Sequence, residues 1–287
     1  MDILKVDLSS ADAPKQFCTS IRETGFAVLT NHPVQKQLID EIYAEWETFF
    51  KGDKEHALRN LGHHYNAGYH NKEVAKGATV ANLMEYYHYF PWYGLPEGIS
   101  DKSLDLLQQI NDIGQRLLEW LQEDTPKEIR EQYDMPLPAM VKDSERTLLR
   151  VIHYPPLEGA EEDGAMRAAE HEDIDLLTLL VAATEPGLQV KDSSGNWHDV
   201  QAYPGSIVVN SGDMLQMASQ GYYTSTTHRV INPTGDAVKK SRMSIPFFLH
   251  PHSHVRLSET HTAESYLIER LKENGTYNIT PQQAEAA

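Results

Sequence analysis

The sequence predicts a mainly β fold with flanking helices. It is an antiparallel double-sheet barrel of the jelly-roll or cupin kind, a double-stranded β-helix, braced by N-terminal helices. Two observations carry this. Up to about residue 145, apolar residues recur mostly at helical spacing. From Arg146 to Pro251, short apolar and β-branched runs alternate with turn signals. The 287 residues are read as one domain in three parts: a helix-rich stretch over 1–145, the barrel core over 146–251, and a C-terminal helix and tail over 252–287.

The elements follow in order. Ile3 to Leu8 alternates as a short strand does. Ser9 or Ser10 can cap a helix that runs to about Thr24 and stops at Gly25. Phe26 to Thr30 is a second strand, and Asn31-His32-Pro33 a turn. Gln35 to Phe50 is strongly amphipathic, with Ile39, Ile42, Trp46, Phe49 and Phe50 on one stripe expected to be core. Lys51 to Tyr93 is aperiodic and crowded with His63, His64, Tyr65, Tyr69, His70, Tyr86, Tyr87, His88 and Tyr89. A connection that long is functional or a surface loop.

Asp101 to Glu123 is again amphipathic. Thr125-Pro126 caps a short helix to about Tyr133, which Met135-Pro136-Leu137-Pro138 ends. An acidic loop, Gly159 to Ala169, precedes the apolar run Ile174 to Val181. Asp192 to Asn196 turns a hairpin between Gly187–Val190 and Trp197–Val200. Pro246 argues against a central strand position from that point on. Ser258 to Asn274 closes the chain as a helix ending at Gly275.

The chain has 42 acidic against 25 basic residues, a net charge of -17, which disfavours nucleic acid and anionic membrane surfaces as partners. No apolar run is long enough to span a bilayer. The lone Cys18 excludes an internal disulfide. With no signal pattern at Met1–Asp7, the expected location is cytoplasmic. Nothing in the sequence bears on oligomeric state.

His171-Glu172-Asp173, with His228 downstream, supplies two imidazoles and a carboxylate, the donor set of a facial metal triad with open positions. On an extended strand His171 and Asp173 point the same way. Among 14 histidines a His-x-Asp also arises by chance, as a histidine bonded to an acid at a turn.

The surroundings decide in favour of the metal. Arg150-Val151-Ile152-His153-Tyr154-Pro155-Pro156, His171-Glu172-Asp173 leading into Leu176 to Leu180, Gly187-Leu188-Gln189-Val190, Pro204-Gly205 through Gly212-Asp213, His228-Arg229-Val230 and Arg242-Met243-Ser244-Ile245-Pro246 occur in the order of one family. From about Leu148 to Pro251 the chain resembles the isopenicillin-N-synthase-like iron(II)/2-oxoglutarate-dependent dioxygenases. Gly25 to His32 matches too, although Pro33 stands where the family more often has glycine. The resemblance implies Fe(II), 2-oxoglutarate and O2 as cofactor and cosubstrates, and a small-molecule substrate hydroxylated, desaturated or cyclised as 2-oxoglutarate becomes succinate and CO2.

In that reading His171, Asp173 and His228 are the metal ligands. Arg242 and Ser244, on one face of a strand, clamp the far carboxylate of 2-oxoglutarate, and Tyr154 adds a phenol hydrogen bond. The spacing from His228 to Arg242 is longer than in plant members, which leaves Arg229, Lys239 and Lys240 as rival cations. The aromatic-rich region before Tyr93 would approach the site mouth and help choose the substrate. Three other functions stay open: an oxidase of the same fold that uses no 2-oxoglutarate, a zinc hydrolase with Glu170, Glu172 or Asp175 as general base, and a binding module without catalysis.

Overall fold

In the computed structural model, residues 1–54, 67–71, 73–74 and 80–273 are described. The helical half begins with strand β1 (Lys5–Asp7), helix α1 (Ala13–Thr24) and strand β2 (Phe26–Thr30). Helix α1 starts two or three residues later than the serines suggest, with Pro14 in its first turn. Gly25 ends it in the left-handed region, φ 71°. Helix α2 (Lys36–Lys51) buries the stripe from Ile39 to Phe50.

The aperiodic stretch contains two strands that its sequence conceals, β3 (Gly68–His70) and β4 (Glu85–Tyr89). Four of the five residues of β4 are aromatic rings or imidazoles, and both faces are covered, so no apolar–polar alternation shows. His63, His64 and Tyr65 lie outside the described residues. Helix α3 (Lys102–Asp124) is followed by the short α4 (Lys127–Arg130) and α5 (Leu137–Val141). Helix α4 stops at Arg130, short of the expected Tyr133, and Met135 to Pro138 instead leads into α5, with Pro138 in its first turn.

The barrel strands are β5 (Leu148–Tyr154), β6 (Ala168–His171), β7 (Leu177–Val181), β8 (Leu188–Lys191), β9 (Trp197–Asp199), β10 (Ile207–Ser211), β11 (His228–Val230) and β12 (Arg242–Leu249). Helix α6 (Asp213–Ala218) and a 3-10 turn over Gly235–Lys239 interrupt them. Helix α7 (Ala263–Glu273) follows β12 and begins five residues later than read, after a bridged turn.

Two sheets face each other without closing. The larger has the order β1-β2-β10-β7-β12-β5-β4-β3, the smaller β6-β11-β8-β9. Alternation along the strands splits the interior. Met243, Ile245, Phe247 and Leu249 of β12 pack outward into the helical core with Leu117 and Leu121 of α3. A Cβ on Gly114 would fall 2.5 Å from Leu249 Cδ1, so glycine there lets α3 lie close against the sheet. Ile152 and Tyr154 of β5 point the other way and meet Val190 and Val230 of the smaller sheet.

Pro246 corrects the reading of its strand. β12 is central, paired with β7 through Leu249. Against β5 the ladder is recorded at Ser244↔Ile152 and again at Phe247↔Leu149, with a break between. The missing proline N–H costs one rung on one side only.

Candidate metal and cosubstrate site

His171 and His228 are directly opposed in the smaller sheet. Their ring centroids are 4.4 Å apart. Asp173 is not on the same strand: β6 ends at His171, and the chain bends through Glu172–Leu176 before β7. The expected strand geometry is therefore wrong, yet the three side chains converge. The bend is held by backbone bonds from Asp213 N to Asp173 O at 2.8 Å and from Met214 N to Asp175 O at 3.1 Å. The ligating atoms of His171, Asp173 and His228 all lie within 4.8 Å of one another.

Each donor is oriented by a second contact. His171 Nδ1 lies 2.8 Å from Ala169 O and His228 Nδ1 3.1 Å from Thr226 O. A proton on each Nδ1 donates to those carbonyls and leaves Nε2 as a lone-pair donor. The two Nε2 atoms are 3.9 and 3.8 Å from Asp173 Oδ1. Asp173 Oδ2 accepts from Thr178 Oγ1 at 2.5 Å and Asn210 Nδ2 at 2.7 Å, so one oxygen is anchored and the other faces the imidazoles.

Burial alone would raise the Asp173 pKa. The adjacent His228 and His171 and the two hydrogen bonds outweigh it and hold the carboxyl below its usual range. Burial, followed by the nearby His171, lowers His228, which favours the neutral ligand form. Burial, followed by the adjacent Asp173, pushes the Asp175 carboxyl well above its usual range.

The triad opens on a cavity of about 290 Å³ between the sheets. Leu148, Arg150, Ile152 and Tyr154 line it from β5; Arg242, Ser244, Pro246, Phe248 and His250 line it from β12 and the residue just beyond. Every second residue faces in. Tyr154 and Arg242 are cross-strand partners at one end. Arg242, Ser244 and Tyr154 are each only 2% exposed. Arg242 Nε donates to Glu185 O at 3.0 Å, and the guanidinium lies 4.9 Å from the Tyr154 ring centroid. Its Nη1 is buried with no hydrogen-bond partner. An orphaned charged donor at the end of a cavity fits a carboxylate brought by a ligand.

The rival cations lie elsewhere. Lys239 and Lys240 are exposed, and Lys240 pairs with Glu185 at 3.6 Å. Arg229 bonds Gln189 and stacks on Trp197 at 3.9 Å. None of them lines the cavity. The 3-10 turn absorbs the long spacing before Arg242.

Asn210, Thr178, Arg150 and His250 are site residues that the sequence reading did not single out. Asn210 and Thr178 sit on strands already recognised, and period-two alternation with their inward neighbours Val208 and Leu180 could have found them.

The fold and donor set define a non-haem iron oxygenase, and the comparisons agree. The 2OG-Fe(II) oxygenase superfamily model matches residues 146–251. A second model, described as the non-haem dioxygenase in morphine synthesis N-terminal region, matches residues 3–109. A solved structure from Shewanella oneidensis, described as an oxygenase, is 47% identical with a TM-score of 0.85, covering 96% of this chain and 99% of that one. Gibberellin 2-beta-dioxygenase 3 of Arabidopsis thaliana is 27% identical over 86% of this chain and 74% of its own length. A full-length Neurospora crassa protein solved in complex with alpha-KG shares the fold at TM-score 0.78 and 22% identity, covering 93% of this chain and 95% of that one.

The chain belongs to the 2OG-Fe(II) oxygenase superfamily. It is an iron(II)- and 2-oxoglutarate-dependent oxygenase of small molecules, with O2 as the other cosubstrate.

Proposed function

We propose that His171, Asp173 and His228 hold the iron, and that Arg242, Ser244 and Tyr154 receive the far carboxylate of 2-oxoglutarate in a single domain whose core is residues 146–251. The observation that carries this is the buried, unpartnered Nη1 of Arg242, in the same cavity as the three ligands. With both bound, iron and 2-oxoglutarate supply an oxidant able to cleave an unactivated C–H bond, and succinate and CO2 leave. The protein's part is positional. Thr178 and Asn210 fix one oxygen of Asp173, the backbone fixes both imidazole tautomers, and Arg242 sets the depth at which the dianion stops. The outcome for the substrate is hydroxylation, desaturation or cyclisation.

The hydrolase alternative is weakened by its own candidate bases. Asp175 is fully buried, with Thr178 on its Oδ2. Glu172 accepts from Thr227, and Glu170 is drawn to Lys191 at 3.0 Å. The acidic charge supports a protein without nucleic-acid partners. Cys18 is buried and its thiol pushed up to about 12 by burial; an inert single thiol fits a cytoplasmic setting. No described helix is long and apolar enough to cross a membrane.

The test is a metabolite screen read as succinate release that requires iron(II), O2 and 2-oxoglutarate together. Substrate turnover without succinate would favour the oxidase that uses no 2-oxoglutarate. Turnover under strict anaerobiosis would favour the hydrolase.

A further inference from the structure

Arg242 has a counterpart on the neighbouring strand. Arg150 projects from β5 on the same face as Tyr154, four residues and thus roughly 13 Å along the strand from it. Arg242 is opposed to Tyr154, so the two arginines stand at separate stations along one wall, and Arg150 lies well beyond the reach of the cosubstrate clamp.

Its guanidinium is held flat and aimed. It lies 4.5 Å from the Tyr86 ring centroid and 5.4 Å from that of Phe248. Nε donates to His88 Nε2 at 2.7 Å, and Nη1 meets Glu73 Oε2 at 3.3 Å. Nη2 has no protein partner among the described residues, and the side chain is 20% exposed toward the cavity that it lines. A guanidinium oriented by two neighbours, with one N–H edge left over, is built to receive an acceptor.

Although the whole chain carries -17, four arginines, four acids and no lysine line the cavity, and the acids are mostly engaged elsewhere. The acids that pair with Arg146 and Arg270, namely Glu264, Asp213 and Glu273, stand behind the lining. Of the acids that do line it, Asp173 belongs to the triad, while Glu170 and Glu172 are drawn to Lys191 and Thr227. Glu73 pairs with Arg150 itself, its Oε2 3.3 Å from Nη1. Phe248 lies beside Arg150, and Leu148 on β5 and Leu267 and Leu271 on α7 add apolar lining to the same cavity.

We infer that Arg150 determines substrate specificity by taking the carboxylate of the molecule being oxidised. The substrate class is a monocarboxylic acid with an apolar body, its acid group at Arg150 and its hydrocarbon against Leu148, Phe248 and α7. This rests on the assignment of the iron and 2-oxoglutarate sites above. The carboxylate accepts from the Nη2 edge, and the apolar body fills the space that the cosubstrate leaves.

The experiment is anaerobic isothermal titration of the iron(II)- and 2-oxoglutarate-loaded protein with indole-3-acetate, trans-cinnamate and cyclohexaneacetate, each beside its methyl ester. Succinate release on admitting O2 is the second readout. Acids are expected to bind at least about ten-fold more tightly than their esters. Arg150→Met is expected to cut acid affinity by about 30-fold or more and to leave ester affinity unchanged. Arg150→Lys, which keeps the charge but not the fork, is expected to fall between. The charge-transfer band of bound 2-oxoglutarate reports folding and cosubstrate binding in every variant. Equal binding of acids and esters, or no binding of any acid by protein that takes up 2-oxoglutarate normally, overturns the inference and leaves the oxygenase site intact. Failure of 2-oxoglutarate itself to bind takes both down.

Discussion

Asn210 Nδ2 donates to Asp173 Oδ2 at 2.7 Å, from a strand of the larger sheet to a bend that leaves the smaller one. This bond and that from Thr178 leave Asp173 Oδ1 turned toward both imidazoles. Removing an outer partner of a ligand commonly costs about 10- to 100-fold in metal affinity. Asn210→Ala is expected to weaken iron(II) within that range, and Asp173→Ala, which removes the only anion of the triad, to abolish stoichiometric binding. Competition with a metallochromic chelator measures both. Full iron occupancy in Asp173→Ala would remove it from the ligand set.

In the proposed site, Arg242 is the group that would separate 2-oxoglutarate from shorter 2-oxo acids. Chelation at the metal end is the same for pyruvate, so selectivity falls to the cation at the far end. Truncating one partner of a buried charged pair costs on the order of 2–5 kcal/mol, which is roughly 30-fold to several-thousand-fold in affinity. Arg242→Met is expected to lose at least the lower factor for 2-oxoglutarate with iron affinity nearly unchanged. Ser244→Ala should lose less, and the exposed Lys239→Met and Lys240→Met almost nothing. Anaerobic titration of the charge-transfer band decides. Normal 2-oxoglutarate binding by Arg242→Met would move the clamp elsewhere.

Most of the barrel half was legible because its strands are short, separated by turns and carry matched runs; the exceptions are β6, partly read as loop, and α6, which was not expected. The same matched runs carry His171, Asp173, His228, Arg242 and Ser244, which the structure brings to one cavity. What stayed hidden depended on neighbours. β4 has rings and imidazoles at four of its five positions, so its period cannot be seen without the sheet beside it. Pro246 disguised a central strand, because the single lost rung is tolerated. Asp173 reaches the metal site through a bend fixed by Asp213 and Met214, about forty residues away in sequence. Arg150 looked like one residue of a matched run until β12 and β4 placed Phe248 and Tyr86 about it.

The aromatic stretch before Tyr93 divides by strand face. Tyr86 and His88 line the cavity, whereas Tyr69 is packed in the helical core with its hydroxyl on Glu85. Tyr86→Ala and His88→Ala are expected to change kcat/KM for the true substrate several-fold or more, with iron and 2-oxoglutarate titrations nearly normal. Tyr69→Phe is expected to lower Tm and leave kcat/KM nearly unchanged, since it removes one hydrogen bond worth about 1 kcal/mol. Identical kinetics in Tyr86→Ala, His88→Ala and the parent would detach this strand from substrate selection.

His250 gives the fold a pH dependence of defined sign. It is 8% exposed, its Nδ1 is buried without a hydrogen-bond partner, and burial lowers its pKa to about 4. Between about 4 and the ordinary 6.5 the unfolded chain binds this proton and the folded chain does not. Stability therefore rises with pH across that window and is lost as pH falls through it. The full difference corresponds to on the order of 3 kcal/mol for one group. His228, lowered by burial and His171, adds to the same slope in metal-free protein. His250→Gln cannot take up the proton in either state, so the metal-free variant is expected to show a shallower rise of unfolding free energy from about pH 4.5 to about 6.5, by close to one proton. Urea unfolding at a series of pH values measures the slope directly. The same slope in variant and parent would mean that His250 is protonated in the folded chain, with its buried Nδ1 meeting an acceptor.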